Sequence, residues 1–405
     1  MSGLSGMGTT FGLPNYHGEL IALTPSDTPL LSAAGGLGGG KTTDSTSFEW
    51  QTYDLRDPAI RSRLEGGDAP TAEARVRANV ENVAQIFHET VSTSYTKQAT
   101  SGQYATAGSA PFQSNSGGPN PVNNEHAWQV EQALKQIARD VNYTFWHGVK
   151  VKPTTNATAR QTAGLLSVIT SNAQVADSTN PLTVGASAAT DTITVTHNLV
   201  ADDKVVFTSV GASTAIVPGR AYWVKSVSTT ASFKIAATKG GAAITVGTAT
   251  VSFYGIKAAT VATPDVVGSL LQSVFDNGGI SEEGTATLFV PSGQKRALTK
   301  AYATAYSASS LLGGTRNIGG VSVDTIVTDF GTLNVAVDRA LPADALAVVS
   351  LEQVDPVFLN IPNKGVLFEE ELAKTGASDK TQIYGEIGLA YGNEASHGVL
   401  RGLFA

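Results

Sequence analysis

The chain has 405 residues, 34 Asp and Glu against 27 Lys and Arg, a formal net charge of −7, 41% hydrophobic residues and no Cys. This length and apolar share support two or three packing units and exclude a chain too polar to fold. The absence of Cys excludes disulfides, thiolate metal sites and a thiol nucleophile, and an acidic balance with no Lys or Arg run argues against nucleic-acid binding as the main task.

Residues 1 to about 46 are rich in Gly, Ser and Thr, with prolines at 14, 25 and 29 and scattered apolar residues, among them Phe11, Leu13, Tyr16, Leu20 and Leu30. The pattern predicts an extended arm whose apolar anchors find their cover elsewhere. From Ser47 the sequence alternates, with Phe48, Trp50 and Thr52 on one side and Glu49, Gln51 and Tyr53 on the other, which predicts a half-exposed strand. A second strand is expected at about 83–95. Residues 54–77 between them hold ten charged side chains: Asp54, Arg56, Asp57, Arg61, Arg63, Glu65, Asp68, Glu73, Arg75 and Arg77. Two strands joined this way make a long hairpin whose tip faces water or another subunit, since so polar a connection has no place in a core.

The clearest helix runs from about Glu125 to His147. Ala127, Val130, Leu134, Ile137, Val141 and Phe145 recur at steps of three and four, while Gln129, Gln132, Lys135, Gln136, Arg139 and Asp140 mark the wet side. Residues 175–258 are rich in Ala, Thr, Val and Ser, with strands expected near 191, 204, 221, 232 and 249. Short strands at roughly ten-residue spacing indicate a small β-sandwich or barrel. From 263 the pattern returns to mixed α/β: helices near 264–277 and 291–304, strands at 286–290, 321–327, 333–338 and 345–350, then further strands over 353–402.

Gly35-Gly36-Leu37-Gly38-Gly39-Gly40-Lys41-Thr42 satisfies the formal phosphate-loop pattern. A working phosphate loop needs a buried strand before it and a helix after it, whereas here prolines precede and a strand follows, so a flexible hinge is expected. The six His residues (17, 88, 126, 147, 197, 397) show no metal-ligand spacing, and Glu369, Glu370 and Glu371 read as a solvated edge. No segment reaches the roughly 18 apolar residues of a membrane span, and the N-terminus lacks an export signal. Neither a catalytic set nor a cofactor nor a metal site is expected.

Three segments carry a resemblance: Ser47-Phe48-Glu49-Trp50-Gln51-Thr52, Leu64-Glu65-Gly66-Gly67-Asp68-Ala69 and Gln85-Ile86-Phe87-His88-Glu89-Thr90-Val91-Ser92. Ala138-Arg139-Asp140 through Trp146-His147-Gly148, Lys380-Thr-Gln-Ile-Tyr-Gly-Glu-Ile-Gly-Leu and Asn393-Glu394-Ala395-Ser396-His397-Gly398 extend it. In this order they resemble a major head protein group within the Hong Kong 97-type capsid proteins of tailed bacteriophages. The resemblance implies an α+β fold: an N-terminal arm over 1–46, an extended hairpin loop over 47–98, and a spine helix with part of the peripheral domain over 99–174. An inserted all-β module follows over 175–258, then the axial domain and core over 259–352 and terminal peripheral strands over 353–405. It further implies a shell of hexamers and pentamers assembled in the bacterial host cytoplasm. Arg56, Asp57, Arg61, Arg63, Glu65, Asp68, Arg75 and Arg77 would then contact neighbouring copies, Phe11, Leu13, Tyr16, Leu20 and Leu30 would anchor the arm, and Val130, Leu134, Ile137 and Val141 would line the spine helix. Besides itself, the implied partners are a portal protein, separate scaffolding and decoration proteins, and enclosed double-stranded DNA bound without sequence specificity. A competing expectation, from another class, is a β-rich surface-binding protein acting through 175–258.

Overall fold

The computed structural model describes residues 23–56, 58–69, 71, 74–100, 125–176, 183–227, 231–256, 261–280, 286–307, 325–328, 330–373 and 376–404. Helix α1 (Pro29–Ala33) and strands β1 (Lys41–Thr43), β2 (Ser47–Tyr53), β3 (Arg77–Val83) and β4 (Gln85–Ser94) lead into helices α2 (Tyr95–Thr100), α3 (Glu125–His147) and α4 (Leu165–Val168) and strand β5 (Ala173–Val175). Strands β6 (Thr183–Ala189), β7 (Thr192–Thr194), β8 (Lys204–Ser209), β9 (Ala221–Val227), β10 (Ser232–Ala236) and β11 (Ala249–Ile256) follow. The last part holds helix α5 (Pro264–Asp276), β12 (Ala286–Val290), helix α6 (Ser292–Ser307), β13 (Thr325–Thr328), β14 (Gly331–Val337), β15 (Leu346–Ser350), β16 (Asp355–Leu359), β17 (Leu367–Glu371), β18 (Ser378–Ala390) and β19 (Gly398–Arg401).

The apolar runs Ala-Thr-Leu-Phe-Val of β12 and Leu-Ala-Val-Val-Ser of β15 are buried at every position. Successive side chains of a strand point to opposite faces, so such a run requires cover on both. The six-stranded sheet β13-β14-β12-β15-β19-β5 has that cover. Phe289, Ala347, Val349 and Val399 meet Ile137, Val141, Phe145 and Trp146 of α3 in one core, whereas Leu288, Val290, Leu346, Val348 and Leu400 meet Leu270, Leu271, Val274 and Leu298 of α5 and α6 in another. Helix α5 starts where Thr263-Pro264-Asp265 predicts, with the Thr263 hydroxyl accepting from Val266 N at 3.3 Å.

A second sheet, β1-β16-β18-β17 with β4 also paired to β18, extends beneath the first half of α3. Two expectations are corrected here. The strand that closes the hairpin on β2 is β3, paired from Ser47↔Val83 to Tyr53↔Arg77, while the run near 83–95 supplies β4, which pairs with β18. The alternation Arg-Ala-Asn-Val-Glu-Asn-Val has too few apolar residues to announce a strand locally. The Gly-rich run is also a folded turn rather than a hinge, since Gly39 N donates to Gly35 O at 3.1 Å and Lys41 starts β1, parallel to β16. Gly40, at φ +129°, lies so close to β16 that a Cβ would sit 2.3 Å from Pro356 O, which only glycine tolerates.

Strands β6 to β11 close into a barrel in the order β10-β7-β6-β11-β8-β9, around Ile193, Phe207, Phe233, Ile235 and Phe253. Its seam with the body is specific. The Tyr254 hydroxyl donates to Asp344 Oδ2 at 2.6 Å, and Lys204 Nζ lies 4.9 Å from the ring centroids of both Trp223 and Phe404.

Candidate assembly surfaces

The hairpin is fixed firmly at its root. Trp50 Nε1 donates to Gly392 O at 2.8 Å and its ring meets Tyr391 edge-on at 4.8 Å. Buried Asn82 donates to Leu389 O at 2.7 Å and accepts from Ala163 N at 2.9 Å. Glu81 takes both Lys150 and Lys152, and the Lys152 hydrogen bond is the foremost cause holding its carboxyl below the usual range. Arg77, expected at the tip, stands in β3, where Nη1 donates to Gln51 Oε1 at 3.1 Å.

Beyond Tyr53 every described residue up to Val76 is exposed. Among the described residues, 54–76 carry no helix or strand, and Arg56, Arg61, Arg63, Glu65, Asp68 and Arg75 are all exposed, while Asp57 lies outside the described residues. The reversal is a turn at Leu64–Gly67, with Gly67 N donating to Leu64 O at 3.2 Å and Gly66 at φ +76°. Ile60 is 99% exposed and Leu64 88%. Composition had emphasised the charges. The sharper feature is that branched aliphatic side chains stand among them, exposed and with no described residue covering them.

The spine helix α3 has the predicted bounds and two environments along its stripe. Ile137 and Val141 are buried, Val130 is half-buried, and Leu134, expected in the stripe's core, is 39% exposed, because the six-stranded sheet covers only the second half of the helix. Leu134 lies in an open groove of about 520 Å³ lined also by Val130, Leu367, Phe368 and Ile383. At the start of the helix the His126 ring nitrogens lie 3.0 Å from the Thr93 hydroxyl and 2.7 Å from that of Thr381, tying α3 to β4 and β18.

Of the arm anchors, Phe11, Leu13, Tyr16 and Leu20 lie outside the described residues. Leu30 corrects the expectation of cover from elsewhere. It sits in α1 with Leu31, both buried in the core beneath α3, and Leu31 N donates to Asn142 Oδ1 at 3.0 Å. The Pro-x-x-x-Pro-Leu-Leu stretch from Pro25 to Leu31 turns back on its own subunit because Leu30 and Leu31 fill a gap in that core.

Asn142 belongs to a buried network that sequence reading missed. Asp338, 1% exposed, accepts from Trp146 Nε1 at 2.8 Å, Asn142 Nδ2 at 3.2 Å and Ala340 N at 2.8 Å. The available signal was Asn142 itself, a polar residue on a helix face beside Val141 and Phe145. Lys41 of the glycine-rich run pairs with Asp355 at 2.7 Å on the surface, and the chain continues into strands rather than into the helix that phosphate binding requires.

The model of the SU10 major capsid protein family matches residues 3–404. No curated protein matches the sequence. Among solved structures, the chain is similar to the capsid asymmetric unit of cyanophage A-1(L), with 10% identity and a TM-score of 0.55 over 98% of this chain and 99% of that one. It is also similar to the capsid of cyanophage P-SCSP1u, with 12% identity, 97% and 93% coverage and a TM-score of 0.49. The capsid of Myoviridae phage XM1 gives 10% identity, 97% and 98% coverage and again 0.49. At these identities the likeness concerns fold alone, and the first of the three carries it across both chains nearly end to end.

Proposed function

The chain belongs to the SU10 major capsid protein family, and from that premise we propose that its copies close into a phage head by lending their hairpin tips and N-terminal arms to one another. It is a capsid shell protein with the α+β Hong Kong 97-type fold, and that family is structural rather than enzymatic. The mechanism is mutual cover. A tip that holds Ile60 and Leu64 in water gains by the hydrophobic effect when a neighbour receives it, and closed symmetry lets every copy both give and receive. The exposure of those two side chains on a firmly rooted hairpin is the observation that carries this reading.

The finer picture follows the same logic. Hexamers and pentamers repeat the contact around rings, a portal protein occupies one vertex, separate scaffolding and decoration proteins assist, and assembly takes place in the bacterial cytoplasm. Double-stranded DNA is enclosed without sequence-specific binding, and a net charge of −7 suits a container that must not hold the polymer at its wall. The barrel projects from the outer face as an inserted module. A surface-binding protein acting through 175–258 is set aside as the main task, because the family match runs through that segment and both its flanks. Negative-stain microscopy and light scattering of the purified chain test the proposal: closed particles are expected, and a strictly monomeric chain under every assembly condition would refute it.

A further inference from the structure

We propose that the cleft between the β-barrel and the body is a binding site for a small monocarboxylate with an apolar tail, held at its charged end by Arg401. The site belongs to the single subunit and goes beyond shell formation.

The cleft holds about 700 Å³, within the usual range of small-molecule sites. One wall belongs to the barrel. Strand alternation in β8 turns Val205 and Phe207 into the barrel core, and Val206 and Thr208 out of it toward the body. Pro218 continues that wall, and the next residue fixes it, Gly219 N donating to Phe207 O at 2.8 Å. The facing wall comes from Tyr143 of α3, Val149 just beyond that helix and Leu166 of α4. Tyr143 is 55% exposed and Val149 59%, so the folded subunit leaves two large apolar side chains in water on one cleft. The His147 ring stacks on Tyr143 at 4.4 Å and donates from Nε2 to Ala340 O at 2.7 Å. Burial is the foremost influence on it and lowers its pKa below 6.5, so at pH 7 the ring is neutral and extends the apolar wall.

Arg401 is then the one charged side chain among the residues that line the cleft. It stands half-buried at the end of β19, where Nη2 donates to Leu166 O and no described carboxylate forms an ion pair with the guanidinium. The acids of adjoining segments are committed elsewhere. Asp344 is buried and accepts from the Tyr254 hydroxyl at 2.6 Å, while Glu394 accepts from Thr170 N at 3.0 Å and Ser171 N at 3.2 Å. A guanidinium presents five donors in a fixed fork that suits the two oxygens of a carboxylate, and most of this fork is unused. A bare anion at that spot would gain little, because water competes for it, whereas an apolar tail along Tyr143, Val149 and Val206 takes both partners out of water. A ligand so seated touches barrel and body at once and fixes one against the other.

Calorimetric titration of the purified full chain, kept below its assembly threshold, with octanoate, 1-octanol and acetate tests the site. Octanoate should bind roughly tenfold more tightly than 1-octanol, the effect of a charge-assisted pair, and acetate should show no binding. Arg401→Gln should bring octanoate to the affinity of 1-octanol and leave 1-octanol unchanged. Val149→Asp, on the exposed rim, should keep the wild-type urea midpoint and weaken octanoate roughly tenfold by like-charge repulsion. With octanoate bound, hydrogen exchange should slow in residues 166–170 and 206–219 together, since the ligand spans both walls. No binding of octanoate, equal affinity for octanoate and 1-octanol or acetate, binding untouched by either variant, or slowing at one wall alone overturns the proposal. None of these results bears on shell formation, which the particles themselves report.

Discussion

Replacing Ile60 and Leu64 together by Ala separates folding from assembly. In the isolated subunit both side chains stand in water, so the double variant should unfold within about 0.5 kcal/mol of wild type, as surface changes do. In the shell each Ala removes three carbon groups from a buried contact, at about 0.8 kcal/mol each, or about 5 kcal/mol per subunit for the pair. At about 1.4 kcal/mol per tenfold, the threshold concentration for shell growth should rise by roughly three orders of magnitude. Two measurements decide it: the urea midpoint of unassembled subunits, and the concentration at which light scattering begins to rise. A subunit destabilised by more than about 1 kcal/mol would show that the tip packs on its own chain. An unchanged midpoint with an unchanged threshold would show that the tip is idle, and either result refutes the reasoning.

Three further outcomes test the body and the barrel. Asp338→Ala leaves the Trp146, Asn142 and Ala340 donors unpaired in the interior, and should cost about 3–5 kcal/mol in urea denaturation of unassembled subunits; a cost below about 1 kcal/mol would contradict the network. His397 is buried, accepts from Ser350 N at Nδ1 and donates from Nε2 to Tyr391 O, and burial lowers its pKa below 6.5. The unfolded chain therefore takes up this proton first as pH falls, so the stability His397 contributes is present above the unfolded value and is lost between it and the lower folded value. The wild-type urea midpoint should drop from pH 7 toward pH 5, and less steeply in His397→Gln; equal slopes would refute this. Replacing residues 177–260 by a short Gly/Ser linker should leave shells of normal diameter, since the barrel has its own core, and microscopy showing none would make the barrel part of the body's fold.

What the sequence disclosed depended on how far away each residue's partner lies. Helix α3 was legible to its ends because its stripe repeats within one segment. Most barrel strands were legible because β-branched and aromatic residues cluster between turns, yet β6 was not, since Thr-Val-Gly-Ala-Ser-Ala-Ala offers small side chains without alternation. The hairpin's charge was visible, and its true partner strand was not. Trp50 closes on Gly392 and Asn82 on Leu389, contacts between residues more than 300 positions apart that no local pattern encodes. The same distance hid the fate of Leu30, which periodicity could not place in a core built from α3 and the second sheet. Leu134 shows the converse: its spacing is that of a core residue, but the sheet that would cover it stops short.

The subunit keeps two kinds of apolar surface apart, one closed inside its own cores and one carried on the hairpin's tip. The cores close on themselves, down to Trp146 and Phe145, while Ile60 and Leu64 stand beyond a ribbon of seven residues per strand, roughly 23 Å long at the usual strand rise. The described cores therefore need no neighbour to close. The roughly 5 kcal/mol that these two side chains would supply must first offset the cost of bringing two subunits together, so a lone pair parts readily and a misplaced subunit can leave. In the proposed ring each copy would be held once by the tip it lends and once by the tip it receives, so leaving would break two such contacts at once. A stronger tip would trap errors and a weaker one would not close the ring, which is why two aliphatic side chains among interleaved charges suit the task better than a large apolar patch.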